Sequence, residues 1–265
     1  MNTAEQSCEQ KVIDLENELQ QTEKALDRCK KASDEFIDIA AHDLKAPMRK
    51  LRTFSERLVQ KSKGLNEDAM VYVEKIERTV ASMQSLVDGL TALANIGTEF
   101  DFVSCDLNET VNEVLTDFSD LIKKEQARIH VADLPTLEAA RELMKEIFKN
   151  LFDNALKFQR EEHIPEVTIS SKEMIDEEKI KFNLPVNKVY FQIKFADNGI
   201  GFNEDNAGAI LKPFVRLHGN SSYPGNGFGL AFCKKVIDMH SGIFVAKGEE
   251  NNGSVLTLIL PQIHQ

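Results

Sequence analysis

The sequence predicts an α+β chain, with heptad-patterned helices first and a separate domain of mixed strands and helices after them. Two patterns carry this expectation. From Cys8 to Ala40 the apolar or small residues step alternately by four and three, through Leu15, Leu19 and Leu26, which is the seam of a coiled coil. Past "NIGTEFD" the repeat stops, and short strand-like runs alternate with amphipathic stretches.

Composition narrows the class. A chain of 265 residues, 42% hydrophobic and 28% charged, is globular and long enough for two modest cores. A net charge of -11 argues against a nucleic-acid partner held through its phosphates. No apolar run approaches the roughly 20 residues that cross a bilayer, so no membrane contact is expected within this chain. The first twenty residues lack the apolar segment of a signal peptide. Cys8, Cys29, Cys105 and Cys233 form no CxxC pair, so neither a disulfide framework nor a zinc site is expected, which fits a reducing cytosol.

The coiled coil reads into a helix that carries "FIDIAAHDLKAPMRKL". The seam there passes through Phe36, Ala40, Leu44, Pro47, Leu51, Phe54 and Leu58, and its two successive steps of four make a stutter. His42 lies two residues past Ala40, roughly 200° around a helix, which turns it outward. Pro47 lacks an amide donor and deprives the carbonyl of Asp43 of its helical partner. Stutter and proline together predict a bend around an exposed histidine. Gly64 ends this helix and Asn66 is placed to cap a second one. There Val73, Ile76, Val80, Met83, Val87, Leu90 and Ala94 repeat the heptad. A hairpin of two such helices has an apolar face wider than it can cover alone, and pairing into a dimeric four-helix bundle would cover it.

In the second part, strands are expected near 102–107, 127–134, 167–171 and 189–196, with two more around Phe244 and Leu256. Helices are expected near 108–123, 137–159 and 229–240. The charged stretch "KEMIDEEKIKFNLPVNK" reads as a long hairpin tip without a motif.

Three stretches of this domain carry chemistry. In "FKNLFDNALKF", Asn150 and Asn154 are one helical turn apart with Lys157 following, a polar face suited to a metal ion and a phosphate or simply to water. "FADNGIGF" closes a strand on Asp197, which can accept from an exocyclic amine, and follows it with Gly199 and Gly201. "YPGNGFGLAF" sets Gly225, Gly227 and Gly229 ahead of a helix, a backbone cradle for anions. Each is weak alone, and the order of the three is much stronger.

With "HDLKAP", "NLFDNALKF", "DNGIGF", "KPFVRLHG" and "GNGFGLA" in sequence, the chain resembles the two-component sensor histidine kinases over residues 30 to 262, in particular phytochrome-related and PAS-linked bacterial members. The resemblance implies a coiled-coil signalling helix at 1–32, a dimerisation and histidine-phosphotransfer domain at 33–98, and an α/β-sandwich ATP-binding domain of the Bergerat type at 99–265. It implies that His42 accepts the phosphoryl group and that Asp43 orients its imidazole and helps remove its proton. Asn154 would hold Mg²⁺ with Asn150 nearby, and Lys157 would meet a phosphate of ATP. Asp197 would read the adenine amine, while Gly199, Gly201, Gly225, Gly227, Gly229 and Leu230 shape the pocket. Phe214 would pack a lid spanning 203–224, with Arg216 approaching the γ-phosphate. The implied partners are a second copy of the chain, a response-regulator receiver domain, and an upstream sensor domain or partner protein. The implied location is the cytoplasm, as a cytosolic fragment of a larger sensor or as a separate chain.

One position departs from the family pattern. Many members carry Thr or Asn four residues after the histidine, where this chain has Ala46, whose methyl group cannot hydrogen bond. Weak phosphatase activity is the expectation. The alternatives are a dimeric scaffold that binds nucleotide without transferring phosphate, and an unrelated ATPase sharing the nucleotide fold. Among the other histidines, His130 reads as a strand residue, His163 and His264 as solvated surface, His240 as a helix C-terminal residue, and His218 as part of the lid.

Overall fold

The computed structural model describes residues 22, 41, 44–45, 47–58, 67–95, 100–213, 215–217 and 227–263. The chain divides into two compact units, Met1–Asn95 and Ile96–Gln265. Apart from Thr22, which is helical and exposed, the coiled-coil seam lies outside the described residues, as do His42, Asp43, Ala46, Gly64, Asn66, Phe214, His218, Gly225 and His264.

In the first unit, residues 47–58 (α1) and Glu67–Asn95 (α2) are helical. Ala41, Met48, Val80 and Val87 form one buried cluster. Ser55 and Val73 are buried as well, so the inner stripes run 41, 48, 55 and 73, 80, 87 at heptad spacing. Lys45 Nζ lies 2.8 Å from Asp88 Oδ1, an ion pair across the hairpin. The seam read from sequence on α1 is not the stripe that the hairpin itself buries. Leu44, Leu51, Phe54 and Leu58 are exposed, Phe54 to 61%, and the buried stripe runs one residue further along than 40, 47, 54. The reason is geometric: α1 and α2 meet along the stripe beside that seam, which leaves the seam itself uncovered by the hairpin alone. Ile76 and Met83 on α2 are exposed in the same way.

The second unit begins with Val103–Asp106 (β1), which pairs antiparallel with Thr136–Ala139 (β3). Between them lie Leu107–Asp117 (α3), Ser119–Glu125 (α4) and Arg128–Val131 (β2). The Asp106 side chain caps α3 by accepting from the amide of Asn108 at 2.8 Å. The single helix expected over 108–123 is two, because Phe118 leaves helical geometry and its ring packs 6.2 Å from that of Phe152. The long helix starts at Arg141 (α5, to Lys157) rather than 137, since residues 136–139 are drawn into pairing with β1.

Glu166–Glu173 (β4), Tyr190–Asp197 (β5), Ile243–Glu249 (β6) and Gly253–Pro261 (β7) complete a five-stranded sheet with β2. Its order is β2-β4-β5-β7-β6, parallel only at β2–β4. Side chains alternate across it. Ile193, Phe195, Leu256, Leu258, Phe244 and Ala246 are buried and share one face by register. Phe195 meets α5 through Phe152, ring centroids 5.1 Å apart. The opposite parity is exposed at Thr168 and Lys194. It is covered where Met174, Tyr190 and Ile259 cluster with Phe182, Leu184 and Ile243. The stretch read as a bare tip therefore folds back as a short helix, Asp176–Lys181 (α6), and seals one end of that face.

Gly229–Met239 (α7) packs antiparallel to α5, and three contacts mark the register. Gly229 faces Asn150, Cys233 Sγ lies 3.9 Å from the Ile147 carbonyl, and His240 reaches Ala140. His240 is buried, its ring edge-on to Phe102. Its Nε2 accepts from the amide of Ala140 at 3.0 Å, so Nδ1 carries the proton and donates to the Val236 carbonyl at 2.8 Å.

Candidate active site

The ends of α5, β5, β7 and α7 enclose a cavity of about 350 Å³. Asn150, Asn154 and Lys157 line one wall from α5, Asp197 closes another from β5, and Gly227, Gly229 and Leu230 stand at the start of α7. Gly201 and Arg216 also line it. Gly199 stands behind the wall, its amide donating to Asp197 Oδ1 at 2.8 Å. Of the residues singled out from sequence, His42, Asp43, Phe214 and Gly225 lie outside the described residues.

Close packing explains the glycines. A Cβ on Gly199 would sit 2.4 Å from the Phe158 carbonyl oxygen, and one on Gly229 would sit 2.7 Å from Asn150 Oδ1. The residue before α7, Phe228, offers no side-chain cap, and the first turn holds no acidic residue. The first residues of α7, Gly229 and Leu230, line the cavity, and a helix start placed there attracts anions.

The carboxylate of Asp197 is held on both oxygens. Besides the Gly199 amide at Oδ1, the Ser254 hydroxyl donates to Oδ2, because register places Ser254 directly across from Asp197. Burial pushes the Asp197 carboxyl above the ordinary carboxylate range, and the hydrogen bonds from Ser254 and Gly199 oppose this. The result is a desolvated acceptor aimed at the cavity. On α5, burial pulls the Lys157 ammonium below its ordinary pKa, with Asp153 opposing and Arg216 adding to the fall. Two cations held close together favour an anion between them.

Asn150 donates from Nδ2 to the Glu146 carbonyl at 2.7 Å, which turns its Oδ1 towards Gly229 and the cavity. A carboxamide oxygen there, with Asn154 one turn on, is the hard donor type that Mg²⁺ takes alongside phosphate oxygens and water. Sequence reading missed Ser254 and Arg160. Ser254 belongs to the site by register alone, and Arg160 bridges two turns by hydrogen bonds to their backbone. Neither carries a local signal.

Comparison with known proteins gives the family and the fold. Residues 139–264 match the family described as histidine kinase-, DNA gyrase B- and HSP90-like ATPase, and residues 32–99 match the His Kinase A (phospho-acceptor) domain. The phytochrome-like protein Cph1 of Synechocystis sp. is 28% identical over 246 residues, 92% of this chain and 31% of that protein. Full-length ShkA, solved with AMPPNP, superposes with a TM-score of 0.60 at 22% identity, over 87% of this chain and 46% of that one. The histidine kinase ThkA, solved in complex with the response regulator TrrA, gives 0.56 at 21% identity, over 86% and 61%. The second unit is thus an ATP-binding domain of the histidine kinase, gyrase B and HSP90 class. With the phospho-acceptor domain ahead of it, the chain belongs to the two-component sensor histidine kinases and carries their catalytic core. It spans about a third of the length of the curated relatives it matches. Among the described residues, no helix is long and apolar enough to cross a membrane.

Proposed function

We propose that this chain moves the γ-phosphoryl group of ATP to His42 and then to an aspartate of a receiver domain. The observation that carries the proposal is one cavity lined by a half-buried carboxylate, two asparagines, a lysine and an arginine. Asp197 accepts from the adenine amine, the α7 amides and Lys157 hold phosphates, and Arg216 neutralises charge that develops on the transferred group. Mg²⁺, held by Asn154 with Asn150 nearby, supplies further neutralisation when bound. This division of labour suits phosphoryl transfer, which depends on positioning and charge more than on covalent help.

A ring nitrogen of His42 attacks the γ-phosphorus, the bond to the ADP oxygen breaks, and Asp43 takes the imidazole proton. The imidazole, with an ordinary pKa of about 6.5, is largely neutral and nucleophilic at pH 7. A carboxylate oxygen of the receiver then attacks the same phosphorus and the P–N bond breaks. ThkA was solved with such a partner, which supports a receiver as the acceptor here. The exposed column of Leu44, Leu51, Phe54 and Leu58 supports a second copy of the chain as the bundle partner. Input arrives from an upstream sensor domain or partner protein, and the chain works in the cytoplasm.

Ala46 in place of Thr or Asn leaves the chain a weak phosphatase, and Ala46→Thr gains phosphate release from the phosphorylated receiver. Incubation with ATP labelled on the γ-phosphate tests the whole reading. Acid-labile label on the chain, absent from His42→Ala, is expected. Hydrolysis without label would make it an ATPase, and nucleotide binding alone a scaffold.

A further inference from the structure

We propose that Arg160 is a positioning residue that holds the purine-reading carboxylate in place and so sets the preference for adenine over guanine nucleotides. The inference rests on the nucleotide reading above and extends it to a residue outside the cavity lining.

Asp197 and Asn198 are adjacent, and their side chains turn opposite ways. Asp197 lines the cavity, whereas Asn198 is committed to the protein behind it. Asn198 Oδ1 accepts from the Glu166 amide at 2.8 Å, and its Nδ2 donates to the Ile164 carbonyl at 3.0 Å. Its own amide donates to the Glu166 carbonyl at 3.2 Å. The remaining group, the Asn198 carbonyl, accepts from Arg160 Nε at 2.9 Å. The other arm of the same guanidinium, Nη1, donates to the Asn251 carbonyl at 2.7 Å. Asn251 in turn donates its amide to the Ile200 carbonyl at 2.7 Å.

One guanidinium therefore ties the turn after β5 to the turn between β6 and β7. Both turns are already pressed together. A Cβ on Gly253 would lie 1.9 Å from the Asp197 carbonyl oxygen, and one on Gly201 would lie 1.9 Å from that of Glu249. Two residues before Arg160, the Phe158 carbonyl accepts from the Ile200 amide at 2.9 Å. The segment leaving α5 thus grips the loop on both sides of Gly199. A planar fork with fixed donor directions can span two carbonyls in this way, while a lysine reaches one at a time.

Adenine presents an amine where guanine presents a carbonyl. A fixed carboxylate accepts from the first and repels the second. A carboxylate free to swing loses part of the first and relaxes against the second, while the phosphate contacts proposed for Lys157 and the start of α7 are untouched.

The experiment measures ATP and GTP affinity by competition against a fluorescent nucleotide, on the full chain and on Arg160→Gln and Arg160→Lys. Wild type is expected to prefer ATP. In Arg160→Gln the ATP Kd should rise about tenfold while GTP changes by about twofold or less. Autophosphorylation should show the change in KM with kcat nearly constant, and Arg160→Lys should recover part of the selectivity. A folded Arg160→Gln with an unchanged ATP-to-GTP ratio overturns the inference and leaves the nucleotide reading intact. If Arg160→Gln fails to fold, the ratio in Arg160→Lys decides in the same terms. A wild-type chain that binds neither nucleotide brings down the nucleotide reading, and the inference falls with it.

Discussion

His240→Leu is a clean probe of how α5 and α7 are held together. His240 and Ala140 are each 2% exposed, so no solvent reaches the bond between them. Leucine fills most of the ring's volume but has no acceptor, and the Ala140 amide is left buried without its partner. Such an orphaned donor costs about 1–3 kcal/mol. The other end of the ring adds little, because the Val236 carbonyl also accepts from the His240 backbone amide at 3.1 Å. For a domain of this size each kcal/mol moves the melting temperature by about 2–4 °C, so a loss of about 2 kcal/mol lowers Tm by about 4–8 °C. His240→Gln offers a carbonyl oxygen to the same amide and should melt between the two. Thermal unfolding followed by circular dichroism at pH 7 measures all three. A leucine variant that melts with wild type, or a glutamine variant no better than leucine, would refute the reasoning that this bond joins the helices.

Three further outcomes follow from the same geometry. Asp197→Asn removes a half-buried charge but keeps both bonds, with Oδ1 accepting from Gly199 and Nδ2 donating to the Ser254 hydroxyl. Because the Asp197 carboxyl titrates above its unfolded value of 3.8, wild type gains stability as pH falls through the folded value. The variant should therefore have the higher urea midpoint at pH 7, the advantage should vanish below the unfolded value, and ATP affinity should drop about 10–100-fold. Glu113 sits 2.9 Å from Lys145 Nζ and 2.5 Å from Arg141 Nη2. Hydrogen bonds from Lys145 and then Arg141 hold its carboxyl below the usual 4.5, so its contribution is present above that pH and lost as pH falls through the folded value. Glu113→Gln should lower Tm at pH 7 and flatten the acid limb of the Tm profile, and equal limbs in both proteins would count against the pairing. Replacing both Leu51 and Phe54 by Glu should give a monomer by light scattering with the α/β unit's melting unchanged, and a persistent dimer would remove this column as the contact face.

Much of this protein follows from local chemistry, and such features are written in the chain. Heptad spacing put helices on both sides of the first hairpin, and the glycines ahead of α7 marked an uncapped helix start. The α5 spacing of Asn150, Asn154 and Lys157 placed all three on one cavity wall. Propensity and periodicity act within a few residues, so one sequence window reports them. The rest depended on pairing across long separations. Only the β5–β7 register sets Ser254 against Asp197, 57 residues apart. Only the antiparallel packing of α5 and α7 makes His240 an acceptor for Ala140, 100 residues away. Residues 137–139 looked like the start of a helix until β1 claimed them as a strand. In the hairpin, sequence revealed the apolar seam of α1, but the packing of α1 on α2 buried the stripe beside it, Ala41, Met48 and Ser55. A side chain's neighbours along the chain set its local conformation; its partners in space, which no window of sequence contains, set its chemistry.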